Sequence, residues 1–192
     1  MIKSSDLTVV IPTIPPRASL LARAMGSVQS QTFPVGAYSI AVDVDKVGAA
    51  GNRQKGLNSV TTEWTLFLDD DDEFMMNHVH DHVIAAEETG ADFVYAWFDT
   101  VPYGRDPFPT EFLHAPWWPD RPRHTTITVM VRTELAKEVG FELSGSTPEF
   151  ANEDWVFILK CNELGKIHHI QNSKTWLWHH DSGNTSGLPT RW

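Results

Sequence analysis

Short apolar, β-branched runs alternate with helical segments along most of this chain, and that alternation constrains the fold more than any other feature. Leu7 to Pro12 (LTVVIP), Tyr38 to Val44 (YSIAVDV), Trp64 to Leu68 (WTLFL), Phe93 to Phe98 and Thr125 to Val131 (TTITVMV) read as strands, as do Lys166 to Ile170 and Thr175 to Trp178. Between them, Leu21, Ala24, Met25 and Val28 fall on one face of a helix from about Ser19 to Gln31, with Ser19 as its expected cap. Further helices are expected over Gly51 to Val60, His78 to Thr89 closed by Gly90, Thr133 to Val139, and Glu153 to Leu164 with Asn152 as cap. Such alternation predicts an α/β fold, a mostly parallel central sheet flanked by helices. No repeat or clean boundary divides it, so residues 1–192 read as a single domain. Six of the 12 prolines lie between Pro102 and Pro122, which makes about 102–123 a long loop, and residues 181–192 read as a polar tail.

In open α/β sheets ligands bind beyond the carboxyl ends of the strands. Asp43, Asp45 and the run Asp69 to Asp72 all fall at such ends. Asp69, Asp70, Asp71, Asp72 and Glu73 are five consecutive acids in a chain of formal net charge −10. Adjacent carboxylates repel unless something screens them, and hard oxygen donors suit Mg²⁺, Mn²⁺ or Ca²⁺. An EF-hand does not fit: counted from Asp69, the sixth residue is Phe74 and the twelfth His80, where glycine and glutamate are required. A metal site and a solvated acidic turn both remain open on this pattern alone.

Composition narrows the function further. The acidic balance argues against an extended nucleic-acid surface. The single cysteine, Cys161, excludes an intrachain disulfide and fits a reducing, cytoplasmic setting. The first residues lack the apolar core of a secretory signal, and no run is long enough to span a membrane.

Several motifs, in order, resemble glycosyltransferase family two. They are Val10-Ile11-Pro12-Thr13, Ala41-Val42-Asp43, Arg53-Gln54-Lys55-Gly56-Leu57, Phe67-Leu68-Asp69-Asp70-Asp71-Asp72, Val131-Arg132 with Glu138-Val139-Gly140-Phe141, Glu153-Asp154, and His180 followed by Asn184-Thr185-Ser186. The resemblance implies a GT-A fold, Rossmann-like, and a metal-dependent, inverting glycosyltransferase. The enzyme would move a sugar from a nucleotide-diphosphate donor, a UDP-sugar, to an acceptor hydroxyl, with Mn²⁺ or Mg²⁺ as cofactor. By this resemblance Thr13 and Asp43 line the nucleotide base, and Arg53 lies near base and diphosphate. Asp69 and Asp71 are the two acids of the DxD motif, with Asp69 toward ribose or sugar and Asp71 on the metal. Asp154 is the general base, and His180 is a further metal contact with His179 as its rival. Asp70, Glu153 and His179 stand beside these positions as further candidates for donor or acceptor contacts. The acceptor stays open among glycan, lipid, protein and modified base.

Each candidate also has a structural reading. Acids at a helix N-terminus, such as Glu153 and Asp154, gain about 0.3–1 kcal/mol from the helix dipole alone. His78, His80 and His82 read as a solvated helix face, and His168 and His169 as structural. Trp64, Trp97 and Trp155 sit in apolar elements and are expected in the core. Trp117 and Trp118, in the proline-rich loop, are candidates for a donor or acceptor lid or for a plug that packs the loop down. Cys161 reads as an inert helix residue. Three other functions compete. A sugar nucleotidyltransferase would need a glycine-rich loop after the first strand, where Thr13-Ile14-Pro15-Pro16-Arg17 has no glycine. An inactive GT-A-like binding domain would be indifferent to Asp154, and a Ca²⁺ lectin would bind free sugar.

Overall fold

The computed structural model of the chain describes residues 1–122, 125–141 and 153–180. Among the described residues, seven strands form one mixed sheet in the order β2-β1-β3-β6-β5-β7-β4. The chain order is β1 (Leu7–Thr13), α1 (Ala18–Gln29), β2 (Ala37–Val42), α2 (Gly48–Asn58), β3 (Trp64–Phe67), β4 (Glu73–Phe74), α3 (His78–Thr89), β5 (Phe93–Val101), α4 (Glu111–His114), β6 (Val129–Arg132), α5 (Thr133–Val139), α6 (Glu153–Leu164) and β7 (Ile167–His179).

β1 is buried at every residue, because parallel neighbours flank it on both edges and helices cover it. The half formed by β2, β1 and β3 is parallel, with Thr13 opposite Val42 and Val10 opposite Phe67. β6 then enters antiparallel to both β3 and β5. β7 runs parallel to β5 and antiparallel to the two-residue β4. The expected parallel sheet is therefore a mixed one.

Some boundaries differ from expectation for identifiable reasons. Lys166 to Ile170 and Thr175 to Trp178 belong to one strand, β7. Its register against β5 shifts between Ala96 and Phe98, and Asn172, with φ of 60°, lies in the intervening kink. β6 is confined to Val129–Arg132; Thr125, Ile127 and Thr128 are buried without joining the ladder. α1 begins at Ala18, after the 3₁₀ turn Pro15–Arg17, so Ser19 lies inside the helix and does not cap it. α2 begins at Gly48, three residues earlier than its periodicity suggests. Gly90 does close α3, in the left-handed conformation with φ of 63°. Asn152, and the tail with Asn184-Thr185-Ser186, lie outside the described residues.

The core is strongly aromatic. Phe67 of β3, Phe141 after α5 and Phe157 of α6 interlock: Phe141 stacks on Phe157 at 4.4 Å, and Phe67 meets Phe141 edge-on at 5.3 Å. This three-ring contact fixes α6 to the sheet beneath the strand ends, each buried ring adding roughly 1.5–3 kcal/mol. Trp64 and Trp97 are in the core as expected, whereas Trp155 is only half-buried. Among the described residues, no helix is long and apolar enough to cross a membrane.

Candidate active site

The site forms where β1, β2 and β3 end side by side. Leu68 continues β3 by donating its amide to Val10, and the chain then turns sharply, with the Asp72 amide on the Asp69 carbonyl. This turn gathers the acids. One carboxylate oxygen from each of Asp69, Asp71 and Asp72 lies within 4.8 Å of the others. Asp69 and Asp71 are thus brought together, and Asp72, which the two-residue spacing of a DxD motif passes over, joins them. Three hard, negatively charged oxygens so close fit a divalent cation.

Asp70 points elsewhere. The Thr13 hydroxyl donates to it at 2.6 Å and Arg17 Nη1 at 2.8 Å. Burial pushes the Asp70 carboxyl upward in pKa, while Thr13 and Arg17 pull it back. Asp70 therefore ties the acidic turn to the end of β1, and the Thr13 hydroxyl is engaged in that tie. Arg17 also reaches Asp71 at 3.3 Å. Arg23 of α1 donates to the Asp71 carbonyl at 2.5 Å and pairs with Glu73 at 3.3 Å. Neither arginine carries a sequence signal: each is one basic residue near the start of an amphipathic helix.

Asp72 is buried and accepts the His179 amide at 3.0 Å. Burial, and then the charges of Asp71 and Asp69, hold its carboxyl well above the usual range. The His179 ring lies 2.7 Å from Glu73 through Nε2. His180 donates its amide to Val101, and its ring lies against Trp178 at 4.2 Å. The acid cluster contains neither histidine; His179 reaches its edge through Glu73 and Asp72.

Asp43 accepts the amides of Val47 and Gly48, both at 2.9 Å. It braces the loop that leads into α2 and explains why that helix starts early. Asn52, one turn into α2, donates to the carbonyls of Thr13 and Ala41 and so fastens the ends of β1 and β2.

Arg53 is the junction of the site. Its guanidinium is buried and forked, with Nη2 on Asp69 at 2.7 Å and Nη1 on Glu153 at 2.5 Å. Burial opposes its charge, but Asp69, Glu153 and Asp154 outweigh burial and hold it protonated. Glu153 and Asp154 open α6, and Asp154 accepts the amide of Trp155 at 2.8 Å. Arg53, Asp69, Glu153 and Asp154, spread over a hundred residues of sequence, are thus one electrostatic group.

Of the two readings left open for Trp117, its packing fits the plug: it is buried, packs edge-on against Tyr95 at 5.8 Å, and donates Nε1 to Asn162 of α6 at 2.6 Å. It plugs the proline-rich loop down, while Trp118 stays exposed. His78 and His82 are not a solvated face. Both are fully buried, because this side of α3 packs on β7. His78 stacks on Phe74 at 3.9 Å and lies against the tilted ring of His82 at 4.0 Å, with Nδ1 at 2.8 Å from the Thr175 hydroxyl. Only His80 is exposed, beside Asp81. Cys161 is buried, and burial pushes its thiol up to about 12, which makes it inert.

A sequence model of glycosyl transferase family 2 matches residues 37–141, more than half of the chain, from β2 through the acidic turn to Phe141. The chain belongs to glycosyl transferase family 2. Its fold is that of GT-A relatives. The solved structure of S. aureus TarS 1-349 in complex with UDP-GlcNAc superposes with a TM-score of 0.79 at 15% identity, over 97% of this chain and 61% of that one. The same fragment in complex with UDP gives 0.76 at 16% identity, over 93% and 60%. A longer TarS structure gives 0.76 at 16% identity, over 93% of this chain and 37% of its own. The family 2 chain described here thus spans less than two thirds of each of these structures. No protein of curated function matches it in sequence.

Proposed function

We propose that this chain, as one catalytic domain, transfers a sugar from a nucleotide-diphosphate donor to an acceptor hydroxyl with inversion at the anomeric carbon. The donor is a UDP-sugar, in keeping with the UDP and UDP-GlcNAc bound to TarS. The observation that carries this reading is the meeting of two carboxylate groups across one buried arginine. On one side are Asp69, Asp71 and Asp72 at the end of β3; on the other is the Glu153-Asp154 start of α6.

Each side suits one half of the chemistry. The donor leaves as a nucleoside diphosphate, so negative charge grows on its oxygens. Asp71 and Asp72, with Asp69, would hold Mn²⁺ or Mg²⁺, which when bound supplies charge to stabilise that leaving group. Asp69, the most exposed of the three, faces ribose or donor sugar. Thr13 and Asp43 close the base end, at the adjoining ends of β1 and β2. Across Arg53, Asp154 takes the proton of the acceptor hydroxyl as that oxygen attacks the anomeric carbon and the bond to the diphosphate breaks. A single base and one displacement invert the centre. His180, with His179 as its rival, is a further metal contact in this reading. The acceptor is a glycan, lipid, protein or modified base.

Thermal unfolding of wild type and Asp71→Asn with UDP, GDP, CDP and dTDP, each with and without Mn²⁺, tests the donor half. A ligand at 100 times its Kd adds about 2.7 kcal/mol, or roughly 5–10 °C for a chain of this size. The expected result is a shift with UDP that needs Mn²⁺ and is lost in Asp71→Asn. Absence of any nucleotide shift in wild type refutes the reading.

A further inference from the structure

We infer that Arg53 and Glu153 are a positioning pair that holds the start of α6, and with it Asp154, against the acids of the donor side. The inference rests on the glycosyltransferase reading above and assigns Arg53 a task other than contact with the donor's base or diphosphate.

Three observations converge. First, the Arg53 side chain is only 8% exposed, and both of its terminal nitrogens are spent on carboxylates, Asp69 at 2.7 Å and Glu153 at 2.5 Å. A forked guanidinium fixes the relative orientation of two carboxylates as a point charge does not. Second, the next residue of α2 grips the other flank: Gln54 accepts the Phe141 amide at 2.7 Å and donates to Asn58 at 2.7 Å. Neighbouring side chains of one helix therefore hold the residue that leaves α5 and the residue that opens α6. Third, Phe141 and Phe157 stack directly, so α6 is held apolar below and ionic above.

The electrostatics say why a cation is needed there. Asp69, Glu153 and Asp154 all act on Arg53. Without it, like charges would push the N-terminal end of α6 away from the acidic turn. The distance between donor acids and base is a catalytic quantity, since an error of about 1 Å can cost roughly 100-fold in rate.

The test uses Glu153→Gln, which keeps the side-chain shape and loses the charge, with Glu153→Ala as a second variant and Asp154→Asn as control. Binding of UDP with Mn²⁺ is measured by calorimetry, and kcat and KM by UDP release from the UDP-sugar that wild type consumes. The expected result is a kcat lowered about 10- to 100-fold with Kd for UDP and donor KM unchanged within about threefold. A raised donor KM at unchanged kcat overturns the inference, because it places Arg53 and Glu153 in donor binding. A readout independent of turnover is the double-mutant cycle of Glu153→Gln with Arg53→Met in urea unfolding. Strong non-additivity is expected, and additive effects overturn the pairing. Full activity of Asp154→Asn, or no nucleotide binding in wild type, instead overturns the glycosyltransferase reading, while the unfolding cycle still decides whether the pair exists.

Discussion

Lowering the pH from 7.5 to 5 should remove the stability that a neutral, buried His82 contributes. His82 is fully buried, and burial drives its pKa down from 6.5 to about 4; nearby His168 adds to the fall, while the bond to the His78 carbonyl and Asp81 oppose it. The folded pKa lies below the unfolded one, so between about pH 6.5 and 4 the unfolded chain binds more protons. Stability from this group is complete above 6.5 and is lost as the pH falls through that window. The whole shift corresponds to about 3 kcal/mol, of which about 2 kcal/mol is gone by pH 5. Against a usual total of about 5–15 kcal/mol, that is a fall in Tm of roughly 4–8 °C. Asp70 and Asp72 act in the opposite direction, since their raised carboxyls are relieved by protonation. The comparison that reads His82, together with its charge on buried His78, is therefore wild type against His82→Phe, which keeps a ring against His78 and cannot be protonated. Thermal unfolding of both from pH 7.5 to 5 should show the variant losing several degrees less. Equal losses in the two proteins would refute the argument that burial holds His82, beside His78, neutral.

Further outcomes follow from the same geometry. Asp154→Asn should bind UDP with Mn²⁺ as wild type does and lose at least about 100-fold in kcat, measured by UDP release; full activity would remove Asp154 as the base. Gly56→Ala should cost about 1–3 kcal/mol in urea unfolding, because a Cβ there would lie 2.6 Å from Val10 in the neighbouring strand. Trp117→Ala should cost about 3–5 kcal/mol, and a loss under about 1 kcal/mol would show that the ring is not the plug of its loop.

The elements nearest the strand ends were the most legible. Repeating apolar runs gave β1, β3 and β5, and the glycine after Thr89 marked the end of α3, because local conformational preference and burial agree there. β4 was illegible: two residues carry no periodicity, and Glu73–Phe74 is a strand only because β7 passes beside it. The histidines of α3 misled for a related reason. A polar ring reads as solvent-facing unless its partner is known, and Thr175, which lies opposite His78, is 97 residues away. Trp117 was undecided between lid and plug because the residues that hold it inward, Tyr95, Trp155 and Asn162, are all remote in sequence.

The sequence by itself determined the alternating α/β plan, the placing of an acidic run at the end of an apolar strand, and the family. Those properties are written in neighbouring residues, where spacing and side-chain type act directly on the backbone. Only the tertiary structure decided the partners: that Asp72 joins Asp69 and Asp71, that Asp70 turns inward to Thr13 and Arg17, and that Arg53 joins Asp69 to Glu153. A charged group takes its environment from whatever the fold brings within a few ångströms; for Asp70 and Arg53 the fold brings it from 16 to 100 positions away, and for Asp72 it comes from the turn that folds neighbouring acids together.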